Sequence, residues 1–78
     1  FIPRPDTELI VEQCLKEMFP LKNPFILDIG TGSGAVATSL AHFRPDAKII
    51  ATDISEIAIM QAKINAYLNK VQDNIYFT

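Results

Sequence analysis

The stretch Asp28-Ile-Gly-Thr-Gly-Ser-Gly34 separates a short apolar run, Phe25–Ile29, from a segment of small and apolar residues, Ala35 to Phe43. The first pattern predicts a strand that is apolar on both faces, as in a buried parallel sheet, and the second predicts a helix. Because glycine tolerates positive φ and lets a backbone approach a ligand closely, the loop is a candidate site for a nucleotide-like cofactor.

The segments on either side of this unit predict further helices and strands. Strands that alternate with helices form parallel sheets, so the sequence predicts a Rossmann-like α/β core of about three parallel strands with crossover helices. The further elements are a first helix, for which Pro5 suits the first position and in which apolar residues recur from Leu9 to Met18, strands at Lys48–Thr52 and Ile75–Thr78, and a helix that follows an N-cap at Ser55 and runs to about Asn69.

The last of these helices carries two sets of apolar residues. Bulky side chains recur at helical spacing, and alanines are expected beside them, where they would let the helix approach the sheet closely. The bulky set is Ile57, Met60, Ile64 and Leu68, and the small set is Ala58, Ala62 and Ala66.

Composition restricts the function classes. The chain has 78 residues, of which 49% are hydrophobic and 21% charged, which is typical of a globular domain. A formal net charge of -2 does not favour nucleic-acid binding. Cys14 is the single cysteine, which fits a reducing compartment, and the sequence has neither an apolar run long enough to span a membrane nor a Cys/His cluster for a metal.

The chain begins at Phe1 and stops at Thr78, inside an apolar run. We therefore expect one partial domain over residues 1–78, cut from a longer protein. A leading segment and the first helix would occupy residues 1–20, and the first β-α-β-α-β units would occupy residues 25–78.

Two carboxylates bear on the choice of cofactor. Asp53 follows the second strand, about 20 residues after the loop, which is the usual offset for an acid that accepts hydrogen bonds from ribose hydroxyls. Gly30, Gly32 and Ala35 also satisfy a dinucleotide-binding pattern, so NAD is an alternative. Asp28, however, would repel a pyrophosphate and attract a cation. The residues therefore favour S-adenosylmethionine, which carries an ammonium and a sulfonium but no phosphate.

Three segments of the chain resemble the HemK-type protein-glutamine N5-methyltransferases. They are Ile2-Pro-Arg-Pro-Asp-Thr-Glu-Leu-Ile10, Ile26-Leu-Asp-Ile-Gly-Thr-Gly-Ser-Gly34 and Ala51-Thr-Asp-Ile-Ser55. The glycine loop is shared by most class I methyltransferases, whereas the Pro-Arg-Pro-acid-Thr-Glu string is more specific to this family. The resemblance extends over essentially the whole chain.

The resemblance implies that the strand Phe25–Ile29 is central in the complete fold, with the second and third strands outward on one side. It implies a protein substrate, the glutamine of the Gly-Gly-Gln motif of peptide chain release factors, and a cytoplasmic location. Pro3, Arg4 and Pro5 would border the substrate pocket. The implied cofactor-binding residues are Asp28, Gly30, Thr31, Gly32, Ser33, Gly34, Asp53 and Ile54.

The Asn-Pro-Pro-Tyr motif that grips the target amide in this family does not occur in the 78 residues. The chain is therefore expected to hold no catalytic residue and to be inactive alone. The alternatives are an enzyme acting on a glutamine of a ribosomal protein or on adenine, and an NAD-binding dehydrogenase fragment.

Simpler roles are also open for several of these residues. Asp28 could cap the loop amides, and Asp53 could be a helix N-cap in competition with Ser55. Asn65 is expected to be an ordinary polar helix residue, and His42 has no assigned function.

Overall fold

The structure is a computed structural model in which residues 5–78 are described. Helices and strands alternate along the chain, as the sequence predicts. The elements are α1 (Pro5–Met18), β1 (Phe25–Ile29), α2 (Ala35–Phe43), β2 (Lys48–Thr52), α3 (Glu56–Leu68), a short 3₁₀ helix (Gln72–Asn74) and β3 (Ile75–Phe77).

The three strands form one parallel sheet in the order β1-β2-β3. Ile49 of β2 lies opposite Ile26 of β1 and Ile75 of β3. Parallel pairing requires long connections, and α2 and α3 provide them. This is the predicted Rossmann-like arrangement, with β2 and β3 on one side of β1. Within residues 5–78, the other edge of β1 has no strand partner.

The hydrophobic core lies on one face of the sheet, where the strands meet the three helices. Helix α1 contributes Val11 and Met18, and α2 contributes Ala37, Leu40 and Ala41. On the strands, alternate residues point into this layer because the side-chain period of a strand is two. The strand residues in or against the core are Ile26, Ile49, Ala51, Ile75 and Phe77.

The opposite face of the sheet corrects the prediction that β1 is buried on both sides. Phe25 is 69% exposed, Leu27 57% and Ile29 76%. The reason is that the described helices cover the other face only. The residues of β1 are apolar, as the sequence indicates. Among residues 5–78, however, no element packs over the face of the strand that carries Phe25, Leu27 and Ile29.

Helix α3 also departs from expectation in one respect. Ala62 and Ala66 are fully buried, so the prediction that alanines bring the helix close to the sheet is confirmed. The bulky residues of this helix, however, are not buried together with the alanines. Ile57 (70% exposed), Met60 (63%) and Ile64 (56%) lie on the side of the helix away from the core. Small side chains permit the closer approach, so the alanine side of α3 packs inward.

Arg44 joins the α1–β1 connection to the α2–β2 connection. Its guanidinium donates to the carbonyl oxygens of Met18 (2.8 Å) and Leu21 (2.6 Å) and pairs with Asp46 at 2.9 Å. The Asp46 carboxylate also accepts from the Asn23 N–H at 2.8 Å. The Arg44 hydrogen bond and then the Asn23 N–H lower the pKa of Asp46 to about 2. The sequence indicates that a helix ends at these residues, but it does not predict these hydrogen bonds.

Candidate functional site

The glycine-rich loop lies where β1 and β2 end, beside the start of α2. Gly30 has a φ of 73°, Gly32 of 57° and Gly34 of 79°. Residues with a side chain rarely adopt a positive φ, so this path of the backbone requires glycine at the three alternate positions. The predicted strand–loop–helix unit is thus present, and Gly34 is the N-cap of α2 without a side-chain cap.

Asp28, the acid just before the loop, is held by the loop itself. The Thr31 hydroxyl donates to Asp28 Oδ2 at 2.8 Å, and Thr31 is only 8% exposed. Asp28 is half-buried and faces the helix side of the sheet, opposite Ala51. Its bond is to the Thr31 side chain rather than to a loop amide or to the N-terminus of α2.

Asp53 links the end of β2 to the same loop. Its Oδ2 accepts the Gly32 N–H and its Oδ1 accepts the Ser55 N–H, both at 2.9 Å. The Ser55 bond and then the Gly32 bond hold the pKa of Asp53 below its usual value. The N-cap of α3 is Ser55, whose hydroxyl accepts from the Ala58 N–H at 3.2 Å. The alternative in which Asp53 caps that helix is therefore wrong.

The backbone N–H groups of the loop are largely used within the protein. Thr31 N–H donates to the Thr52 carbonyl at 2.8 Å, and Gly34 N–H donates to the Thr31 carbonyl at 2.9 Å. With the Gly32 bond to Asp53, three of the five residues from Gly30 to Gly34 already have an acceptor. A loop that binds phosphate has to present such groups to its ligand.

Helix α3 closes the other side of the loop. Gly34 lies so close to it that an added Cβ would come within 2.9 Å of Ala62 Cβ. One turn further, Asn65 Nδ2 donates to the Ser33 carbonyl at 2.8 Å. The sequence reading missed this contact. The signal was available, because Asn65 is three residues from Ala62 and so lies toward the alanine side of α3.

The remaining predicted site residues lie in different surroundings. Ile54, directly after Asp53, is fully exposed at 105% and offers an apolar surface next to the loop. Pro3 and Arg4 lie outside the described residues, and Pro5 is the first residue of α1.

Cys14 is half-buried, and burial, with smaller effects of Glu17 and Asp28, raises the pKa of its thiol.

Two negative findings apply to the described part of the chain. Within residues 5–78 there is no group of three or more His, Cys, Asp or Glu side chains that could hold a metal ion. No helix in that range is both long and apolar enough to cross a membrane.

The fold and the loop define the class. The chain superposes on an RNA methyltransferase from Salinibacter ruber, solved with S-adenosylhomocysteine, with a TM-score of 0.80 and 22% identity, over 99% of this chain and 48% of that one. The architecture is therefore the Rossmann-like fold of that methyltransferase.

A family model described as Ribosomal protein L11 methyltransferase (PrmA) matches residues 5–78, and the chain belongs to this methyltransferase family. Two curated relatives are named release factor glutamine methyltransferase. The protein from Moorella thermoacetica is 52% identical over 65 residues, which are 83% of this chain and 23% of that protein. The protein from Flavobacterium psychrophilum is 52% identical over 73 residues, which are 90% of this chain and 26% of that protein. The chain spans about a quarter of their length, and the resemblance to the HemK-type enzymes is confirmed.

Proposed function

We propose that the chain forms the S-adenosylmethionine-binding part of a protein-glutamine N5-methyltransferase. Its substrate would be the glutamine of the Gly-Gly-Gln motif in peptide chain release factors. The names of the relatives at 52% identity support this substrate. The enzyme would act in translation termination in the cytoplasm, which agrees with a single free cysteine.

The observation that carries the cofactor assignment is the occupancy of the loop amides. Gly32 N–H already serves Asp53, and Gly34 N–H serves Thr31. The loop is also flanked by two carboxylates, Asp28 before it and Asp53 beside it. Such a loop suits a cationic nucleoside without phosphate better than a dinucleotide, whose pyrophosphate would meet negative charge and could not use the N–H groups of Thr31, Gly32 and Gly34 without breaking their present bonds.

Each proposed cofactor contact has a side chain or backbone segment in a suitable place. The Asp28 carboxylate would attract the cofactor's ammonium group, and the loop from Gly30 to Gly34, with Thr31 and Ser33, would border the methionine part. Asp53, held ionised by its lowered pKa, would accept hydrogen bonds from the ribose diol. Ile54, which is fully exposed, would pack against the adenine.

Bound S-adenosylmethionine would supply an electrophilic methyl group on sulfur. The target amide nitrogen is a poor nucleophile, so orientation of that amide would account for much of the rate. The family resemblance assigns this orientation to an Asn-Pro-Pro-Tyr motif, which the 78 residues do not contain. We propose that residues 1–78 supply cofactor contacts and no catalytic residue, with residues 1–20 leading into the cofactor-binding units at 25–78. Pro3, Arg4 and Pro5 would border the substrate pocket.

Calorimetric titration tests the cofactor assignment. The full-length protein that contains this chain should bind S-adenosylhomocysteine and should bind NAD much more weakly. Asp53→Ala should weaken S-adenosylhomocysteine binding because it removes both the ribose acceptor and the Gly32 contact. Tighter binding of NAD would refute the assignment, and unchanged affinity in the Asp53 variant would refute the role given to that residue.

A second substrate has support from the description of the matching family model, which names a ribosomal protein methyltransferase. Incubation of the full-length protein and S-adenosylmethionine with a release factor, and separately with ribosomal proteins, distinguishes the two substrates. We expect mass spectrometry to detect one added methyl group on the Gly-Gly-Gln glutamine. Methylation confined to a ribosomal protein would instead assign the enzyme to the ribosomal protein methyltransferases.

A further inference from the structure

The contact between α3 and the loop fixes one peptide group from both sides. In the peptide that joins Ser33 to Gly34, the carbonyl accepts from Asn65 Nδ2 at 2.8 Å. The N–H of the same peptide donates to the Thr31 carbonyl at 2.9 Å. A peptide group held at both ends cannot rotate without losing a hydrogen bond, so its orientation is set before any ligand arrives.

Asn65 reaches the loop because α3 lies unusually close to it. Ala62 contacts the site of the missing Gly34 side chain, and an added Cβ there would also lie 3.2 Å from Ala62 Cα. Only a short amide at position 65 is then needed to span the remaining distance to Ser33. The Asn65 backbone carbonyl in turn accepts from Asn69 Nδ2 at 2.7 Å, within the last turn of α3.

We propose that Asn65 is a positioning residue, which holds the Ser33–Gly34 peptide in the orientation that the amino-acid part of the cofactor requires. The proposal rests on the proposed function, because that function places the methionine part of S-adenosylmethionine against this loop. Asn65 acts through the backbone and does not touch the cofactor. Its contribution is a loop that is already ordered, which lowers the entropy cost of binding.

The test compares two ligands and two matched variants of the full-length protein. S-adenosylhomocysteine carries the amino-acid part, whereas 5′-methylthioadenosine has the nucleoside and the thioether without it. Asn65→Leu is nearly isosteric and neutral but has no donor for Ser33. Asn69→Leu is the same change four positions later, at the C-cap of α3, where the side chain bonds the helix and not the loop. Asn65→Ala serves as a second variant if the leucine disturbs packing.

The expected result is that Asn65→Leu weakens S-adenosylhomocysteine binding about tenfold, as loss of one partner of a hydrogen bond can do. Binding of 5′-methylthioadenosine should be unchanged, and Asn69→Leu should bind both ligands as the wild type does. Melting temperatures without ligand identify any general loss of stability.

Two results would overturn the proposal while leaving the proposed function intact. One is wild-type affinity of Asn65→Leu and Asn65→Ala for S-adenosylhomocysteine. The other is an equal loss for both ligands, which would make Asn65 a purely structural residue. If the wild type binds no S-adenosylhomocysteine at all, the proposed function fails, and this proposal fails with it.

Discussion

Gly34 should be the least replaceable residue of the loop. Alanine there would adopt a φ of 79°, in the left-handed region. Its Cβ would lie 2.9 Å from Ala62 Cβ, closer than real Cβ contacts. The left-handed backbone costs about 1–2 kcal/mol for a residue with a side chain, and overpacking costs about 1–3 kcal/mol more. The sum, about 2–5 kcal/mol, approaches the whole net stability of a single small core, which is about 3–5 kcal/mol.

Gly32 provides the matched control. It also has a positive φ, 57°, but nothing lies within 4 Å of where its Cβ would be. Gly32→Ala should therefore cost only the backbone contribution, about 1–2 kcal/mol. Ala62→Gly on its own removes a helix-forming residue and costs about 1 kcal/mol. Combined with Gly34→Ala it should cost less than the sum of the two, because it removes the Cβ on the other side of the contact.

Urea unfolding followed by circular dichroism measures the free energy of unfolding of the wild type and of all four variants. The reasoning is refuted if Gly34→Ala is no more destabilising than Gly32→Ala. It is also refuted if the Gly34→Ala and Ala62→Gly changes are additive, because then the two side chains do not compete for the same space.

Further predictions concern the two acids held by neighbouring donors. The pKa of Asp46 is lowered from 3.8 to about 2, so its ion pair stabilises the fold above pH 3.8 and that contribution is lost as the pH falls toward 2. Melting temperatures across this window should fall less steeply for Asp46→Asn than for the wild type, and equal slopes would contradict the assignment. Thr31→Val removes the donor to the half-buried Asp28 and should lower the free energy of unfolding by about 1–3 kcal/mol. Thr31→Ser, which keeps the hydroxyl, should retain most of the wild-type free energy of unfolding. A serine variant as unstable as the valine variant would show that the hydroxyl bond to Asp28 does not contribute to stability.

The order of elements was predictable because each has a local signal. The glycines at alternate positions require a loop, Ser55 supplies a capping oxygen, and the apolar runs have the period of strands or helices. The bounds of β1, α2 and β2 agree with the prediction to the residue. Local signals also predicted that Asp53 lies beside the glycine loop, because the end of the second strand of such a unit is next to the loop that follows the first.

The contacts that fix the loop and the connections were not predictable in the same way. Asn65 bonds a carbonyl 32 positions earlier, and Arg44 bonds one 26 positions earlier. Any carbonyl can accept such a bond, so its identity depends on how closely two elements pack. The orientation of α3 illustrates the same limit, since periodicity reveals an apolar side of a helix but not whether the bulky or the small residues pack against the sheet.

The loop's own hydrogen bonds give the cofactor assignment its physical basis. A glycine loop that binds phosphate keeps its N–H groups directed at the ligand, and the helix that follows adds positive potential. Here Thr52, Asp53 and the Thr31 carbonyl accept three of those N–H groups. The same bonds that remove donors for an anion also make the loop rigid, and they bring the ionised Asp53 against it. In the proposed function, one arrangement would thus both disfavour a pyrophosphate and present an ordered, acid-flanked surface to a cationic nucleoside.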